Sequence, residues 1–85
     1  MTDDVTTLEI TTMRRRIDEI DLAIIGLWLE RAGLSQQIGQ ARLAAGGTRL
    51  VLSREQQIIE RFREGIGDEG TELARLVLRA GRRAI

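Results

Sequence analysis

The 85-residue sequence contains no cysteine, and it also lacks histidine, lysine, tyrosine and proline. Without cysteine, neither a disulfide nor a thiolate metal site can stabilise the fold. The chain also lacks the most common general bases and covalent nucleophiles, and its serines have no histidine partner. A catalytic site built from these residues would have to work by positioning and electrostatics.

The chain has no long apolar run, and none approaches the ~20 residues of a membrane span. Its acidic N-terminus, MTDDVTTLEI, lacks the pattern of a signal peptide. We therefore predict one cytoplasmic domain over residues 1–85, with a flexible N-terminus over about residues 1–8. A domain this short is only marginally stable alone, and with disulfides excluded, oligomerisation is the means left to stabilise it.

All thirteen cationic residues are arginines, and thirteen acidic residues balance them to zero net charge. Zero net charge argues against a partner such as nucleic acid. An arginine-only cation set suits bidentate recognition of carboxylates. The codon usage of a GC-rich genome would produce the same composition, so composition alone does not assign a function.

The absence of proline and of alternating β-branched residues predicts an all-α chain of three helices. The first should begin between residues 6 and 12 and end at Gly46-Gly47. The second should open at Ser53, with a capping box to Gln56 and an apolar face of Ile58, Ile59 and Phe62. After a loop over residues 65–70, the third should begin near Thr71. Its predicted apolar face comprises Leu73, Leu76, Val77 and Ala80.

The first helix carries an apolar stripe with alternating steps of four and three residues, the pattern of a helix that packs along its length. The stripe comprises Met13, Ile17, Ile20, Ile24, Leu27, Leu34, Ile38 and Ala41. A helix of about 35 residues is ~50 Å long, whereas a compact domain of this size has a radius of gyration of ~12 Å. We therefore predict an intertwined antiparallel homodimer, in which a second copy covers the stripe.

Arg31 interrupts the apolar stripe, and Arg42 follows eleven residues later on the same helix face. The two could bind one small dianion, or Arg31 could form a buried ion pair and Arg42 be a solvated cation in the last turn. Arg14 belongs to a run of three arginines that is most simply solvated. In an antiparallel pair centred near Leu22 and Ala23, however, it would lie opposite Arg31 of the second copy.

Arg54 and Glu55 open the second helix, either as ordinary charges of a first turn or at the mouth of the same site. The loop from Thr48 through Arg49 to Val51 would then cover it. The acidic residues of the first helix form a solvated face without a metal-binding pattern. They are Asp18, Glu19 and Asp21.

The segment MRRRIDEID (residues 13–21), followed by Glu30-Arg31 and by IGQAR (residues 38–42), resembles the first helix of the all-α, AroQ-class chorismate mutases. The loop GGTRLV and the following SRE are similar to the short subclass found in actinobacteria. The similarity extends from about Thr12 to Arg83. It implies an enzyme of the shikimate pathway and of aromatic amino acid biosynthesis, which rearranges chorismate to prephenate without a cofactor.

The resemblance also implies site roles. Arg42 matches the cation that contacts the ether oxygen of the substrate, and Glu55 the residue that binds its ring hydroxyl. Among the substrate-binding positions, Arg31 and Arg14 of the partner chain would hold the two carboxylates, and Arg54 would shape the charge of the site. The two loop residues over the substrate would be Thr48 and Val51.

Two departures from the family pattern matter. Val51 stands where many relatives carry Asp, and the sequence ends before the Gln or Glu that many place late in the third helix. We therefore expect a slow enzyme when the chain is alone. Relatives of the short subclass are activated in a complex with DAHP synthase, and we expect the same here, with the tail over residues 81–85 near the contact.

Alternative functions stay open from the sequence. An aminodeoxychorismate mutase or an isochorismate pyruvate-lyase would use a similar dicarboxylate site on the same fold. A non-catalytic helical subunit for regulation or dimerisation is a second class. A three-helix nucleic-acid-binding module is disfavoured by the zero net charge and the long first helix.

Overall fold

A computed structural model describes residues 2–48 and 50–83, with side chains in the first helix described from Thr6 onward. These residues form three helices, α1 (Thr2–Ala44), α2 (Leu52–Ile66) and α3 (Asp68–Arg82), and no strand. The predicted all-α fold with a long first helix is confirmed. Arg49 of the predicted covering loop and residues 84–85 of the predicted tail contact lie outside the described residues. The interpretation of residues 1–85 as one domain with a flexible start stays a prediction.

The start of α1 at Thr2 lies before the predicted boundary, so the prediction of a start within residues 6–12 was wrong. It assumed that a threonine there would cap the helix. Instead, Thr11 Oγ1 donates to the Thr7 carbonyl oxygen within the helix, at 3.0 Å. A threonine hydroxyl can bond to the carbonyl four residues earlier, and it is then compatible with a helix interior.

The end of α1 at Ala44 is fixed by the predicted glycine pair. Gly46 has a φ of +85°, in the left-handed region that favours glycine. Its N–H donates to the Leu43 carbonyl oxygen, and the N–H of Gly47 donates to that of Arg42, at 2.8 Å. These two bonds form a Schellman motif, which satisfies the last carbonyl groups of the helix.

The start of α2 at Leu52 contradicts the predicted capping box of Ser53 and Gln56. Val51 is the N-cap residue, with an extended backbone and no side-chain cap. Ser53 already lies inside the first turn, where its hydroxyl is past the capping position. The first turn is closed by the Glu55 N–H, which donates to the Val51 carbonyl oxygen at 3.1 Å.

The connection between α2 and α3 is a single residue, Gly67, rather than the predicted loop over residues 65–70. Its φ of +108° lets the chain reverse in one step, and its N–H donates to the Arg63 carbonyl oxygen. The predicted start of α3 near Thr71 was therefore also wrong. Gly70 is buried in the first turn of α3, where its missing side chain lets that turn lie directly against the backbone of Phe62.

The core of the chain is built around α3, which packs against both other helices. Among the described residues, no Cα atom of α1 comes within 8 Å of one in α2. The buried apolar residues among those described are Ile58, Ala74, Val77, Leu78 and Ala80. Leu73 and Leu76, predicted to face the core, are exposed in the single chain. Val77 and Ala80 are buried as predicted. The inner face of α3 includes Gly70, Ala74 and Gly81, so small residues rather than these two leucines pack against the neighbouring helices.

The apolar stripe of α1 is exposed in the single chain over the residues predicted to form it, and Leu27, for example, is 64% exposed. The described part of the chain measures 68 × 26 × 13 Å, and its radius of gyration is 18.4 Å. A compact domain of this length would have a radius of gyration of ~12 Å. α1 thus extends far beyond the core formed by its own chain. Among the described residues, none of the three helices contains an apolar stretch of the length that a membrane span needs.

Candidate active site

A cleft of about 400 Å³ lies between the second half of α1 and the start of α2, with α3 at its base. Its lining combines three arginines and one carboxylate with an apolar surface. The lining residues are Arg31, Leu34, Ser35, Ile38, Gly39, Arg42, Val51, Arg54, Glu55, Ile58 and Leu78. A cleft of this volume suits a small molecule, and this residue set suits an anion with an apolar body.

Arg31 is the strongest indication of an anionic ligand. Its Nη1 atom is buried and has no hydrogen-bond partner. Burial, and then the positive charges of Arg54 and Arg61, lower the pKa of Arg31. A buried guanidinium nitrogen without an acceptor costs free energy, because it has lost its hydration. The buried ion pair considered for Arg31 is not among the ion pairs of the described residues.

Arg42 enters the same cleft from the last turn of α1, about 16 Å along the helix axis from Arg31. Its carbonyl oxygen accepts the 2.8 Å hydrogen bond from Gly47 in the Schellman motif. The glycine pair therefore fixes the backbone from which the Arg42 side chain extends. Arg31 and Arg42 thus line one cleft from two positions on the same helix.

Val51, Arg54 and Glu55 reach the cleft from the start of α2. The Glu55 side chain is only 21% exposed, and its Oε2 accepts a hydrogen bond from Arg82 Nη1. Arg82 was not predicted as a site residue, because in the sequence it belongs to a basic tail. The contact joins two residues 27 positions apart, and neither periodicity nor a local motif could indicate it.

The structure of one chain leaves two predicted site residues outside the cleft. Arg14 is exposed on α1, and seventeen residues separate it from Arg31, or about 25 Å along the helix. Thr48 is exposed after α1, and its Oγ1 donates to the Leu50 carbonyl oxygen at 3.0 Å. Neither lines the cleft.

Glu55 is the one acidic residue among the described residues that line the cleft. Asp18, Glu19 and Asp21 are exposed, as predicted, and Glu19 pairs with Arg16. In the ranges that the structure describes, no group of three or more acidic side chains is arranged to hold a metal ion. The charged residues that line the cleft are three arginines and one glutamate, so its net charge is positive.

Comparison with known proteins points to one family. The family model for type II chorismate mutase matches residues 13–80. The intracellular chorismate mutases of Mycolicibacterium smegmatis and Mycobacterium tuberculosis are each 53% identical to the chain over 74 residues. The match covers 87% of this chain and 71% and 70% of those proteins.

A solved structure shares the fold as well. It is described as a non-covalent complex of DAHP synthase and chorismate mutase from Corynebacterium glutamicum, with a bound transition-state analogue. The TM-score is 0.86 at 43% sequence identity, and the match covers 95% of this chain and 98% of that chain. Together with the arginine-lined cleft and the three-helix fold, these similarities show that the chain belongs to the type II chorismate mutase family and is an isomerase.

Proposed function

We propose that the cleft binds chorismate and rearranges it to prephenate, with no cofactor. The observation that carries this proposal is the buried, unpartnered Nη1 of Arg31, in a cleft that Arg42 and Arg54 also line. Chorismate is a small dianion, and its carboxylates are the acceptors that such guanidinium groups lack. The apolar lining from Leu34 and Ile38 would contact the carbon skeleton.

The chemistry requires no proton transfer, which suits a cleft with few proton-transfer groups. In the concerted rearrangement, the C–O bond breaks while a C–C bond forms, and negative charge develops on the ether oxygen. The guanidinium of Arg42 would stabilise that charge in the transition state more than in the ground state. A rate gain of ~10⁶ corresponds to only ~8 kcal/mol, which positioning and this electrostatic effect can supply.

The remaining roles follow the resemblance. Glu55 would accept a hydrogen bond from the ring hydroxyl, and Arg54 would contribute to the positive potential. Val51, at the edge of the cleft, would contact the substrate directly. The Thr48 hydroxyl donates to the Leu50 carbonyl oxygen, so Thr48 would shape the covering loop.

The protein would act as an antiparallel homodimer in which each site takes Arg14 from the second copy. The exposed apolar stripe of α1 supports this, because a second α1 would cover it. The midpoint of α1 is residue 23, within one residue of the register, centred between Leu22 and Ala23, that sets Arg14 opposite Arg31. Within one chain, Arg14 lies about 25 Å along the helix from Arg31, so the Arg14 of each site would come from the second copy.

A complex with DAHP synthase is the proposed route to full activity. The support is the solved complex of a similar chorismate mutase with that enzyme. The names of the mycobacterial relatives likewise support an intracellular, cytoplasmic location. The described residues offer no feature that favours an aminodeoxychorismate mutase, an isochorismate pyruvate-lyase or a non-catalytic subunit.

The test is the loss of chorismate absorbance with the purified protein, alone and with a cognate DAHP synthase, followed by product identification. We expect prephenate, faster turnover with the synthase, and a loss of about 10²–10³-fold in Arg42→Ala, as for removal of one donor to a developing oxyanion. Arg75→Ala, an exposed arginine of α3, is the matched control. Absence of turnover under both conditions, or full activity of Arg42→Ala, would contradict the proposal.

A further inference from the structure

The ion pair between Arg82 and Glu55 connects the last residue of α3 to the first turn of α2. Glu55 lines the cleft, whereas Arg82 does not. Arg82 lies along a groove on the outer side of α3, together with Arg75 and Arg79. Its guanidinium thus approaches the Glu55 carboxylate from outside the cleft, on one oxygen, Oε2.

The position of Arg82 is fixed by contacts of the two residues before it. Gly81 is buried directly against the Ser35 side chain of α1. The buried Gln36 side chain donates from Nε2 to the Ala80 carbonyl oxygen at 3.3 Å. The last turn of α3 is therefore held on α1, and this attachment sets where Arg82 meets Glu55.

We propose that Arg82 is a positioning residue for the reaction, acting through Glu55. By holding Oε2, it fixes the carboxylate in one orientation and leaves Oε1 directed to the substrate. The inference rests on the proposed function, in which Glu55 accepts the hydrogen bond of the ring hydroxyl. A glutamate side chain has several rotatable bonds, so without Arg82 it would sample orientations that do not meet the hydroxyl.

The role requires a charged donor at position 82, because an apolar residue could not bind the Glu55 carboxylate. The guanidinium binds the ionised carboxylate, and it prevents Glu55 from turning to the other arginines of the cleft, Arg31 and Arg54. Those two cations then stay available for the carboxylates of the substrate. Lysine at position 82 would keep one charged donor but lose the planar geometry of arginine.

The experiment is a double-mutant cycle of Arg82→Met and Glu55→Gln, measured as kcat and KM for chorismate. The hydroxyl contact exists in the substrate and the transition state alike, so Arg82→Met should raise KM more than it lowers kcat. We expect kcat/KM to fall about tenfold, the loss of one charged hydrogen bond, and Arg82→Lys to recover part of it. In the Glu55→Gln background, Arg82→Met should have no further effect.

Arg79→Met is the matched control, since Arg79 is an exposed neighbour of Arg82 on the same helix and outer groove. Unfolding temperatures identify any variant that has lost its fold, and Arg82→Lys then supplies the kinetic comparison. Unchanged kinetics in Arg82→Met, or an equal loss in both backgrounds, would overturn the role of Arg82 alone. A wild-type protein without turnover would instead overturn the proposed function, and this inference with it.

Discussion

Gly81 of α3 packs on Ser35 of α1 so closely that a Cβ at position 81 would lie 2.7 Å from Ser35 Cβ, and closer still to its Oγ. Real Cβ atoms do not approach other heavy atoms this closely. The contact joins the last turn of α3 to α1, and Ser35 also lines the cleft. The packing of α3 on α1 and the shape of the cleft therefore depend on the same pair.

Replacing Gly81 with alanine should push α3 away from α1. We expect Gly81→Ala to destabilise the protein by about 1–3 kcal/mol, the usual cost of overpacking, and to lower turnover. Adding Ser35→Gly removes both clashing atoms, so the double variant should be more stable than the sum of the single effects predicts. Thermal and denaturant unfolding of the four proteins measures this, and strict additivity would exclude the clash.

Gly70 should tolerate substitution as poorly as Gly81, because it packs directly against the backbone of α2. A Cβ there would lie 2.6 Å from the carbonyl carbon of Phe62 and closer to its oxygen, and backbone cannot move aside as a side chain can. We expect Gly70→Ala to cost at least about 2 kcal/mol. Gly65→Ala is the control, since a Cβ at that helical position meets nothing within 4 Å. It should be neutral or slightly stabilising, because alanine restricts the unfolded chain. Denaturant unfolding of both variants provides the comparison.

We expect Arg31 to lower the folding stability of the free protein while it contributes to the binding of the anionic substrate. Its buried Nη1 lacks a partner, and desolvation and Arg54 lower its pKa, so the free protein carries an unfavourable charge. Arg31→Met keeps the length of the side chain and removes the charge. We expect the free variant to unfold at the same temperature or higher, with kcat/KM lowered at least about 100-fold. Arg61→Met is the control and should retain activity, because Arg61 is an exposed arginine whose charge acts on Arg31. A strong loss of stability in Arg31→Met would show that Arg31 is structurally satisfied.

Sites shared between two chains predict complementation. Arg14→Ala and Arg31→Ala should each be inactive, because each removes one cation from every site. After mixing and subunit exchange, half of the dimers would be hybrids with one intact site out of two. Activity should therefore return to about one quarter of the wild-type level. A site built within one chain would give no recovery.

The helix count and the cationic character of the site could be predicted from sequence, because both depend on local information. Eleven residues return to one helix face, so the joint placement of Arg31 and Arg42 follows from helix geometry. The helix boundaries were less accurate. Threonine hydroxyls can bond inside a helix as at Thr11, and one glycine at Gly67 replaced a loop of six residues.

Residues whose position depends on the packing of helices could not be predicted in the same way. Arg82 meets Glu55 only because α2 and α3 form a tight hairpin and the end of α3 is attached to α1. The buried face of α3 was predicted to comprise Leu73, Leu76, Val77 and Ala80. Val77 and Ala80 are buried as predicted, whereas the two leucines are exposed, because close packing required smaller residues at the inner positions. Hydrophobicity alone favours the larger side chains, while the distance between helices selects glycine and alanine.

The absence of close approach between α1 and α2 has a consequence for specificity. These two helices line most of the cleft, but α3 holds them apart: Gly81 sets its distance from α1 and Gly70 its distance from α2. The width of the cleft is thus set by how closely α3 packs against each of the other two helices. Replacing these small residues on α3 would change the distance between α1 and α2. Substrate size could therefore be altered, by evolution or by engineering, at positions that do not line the cleft.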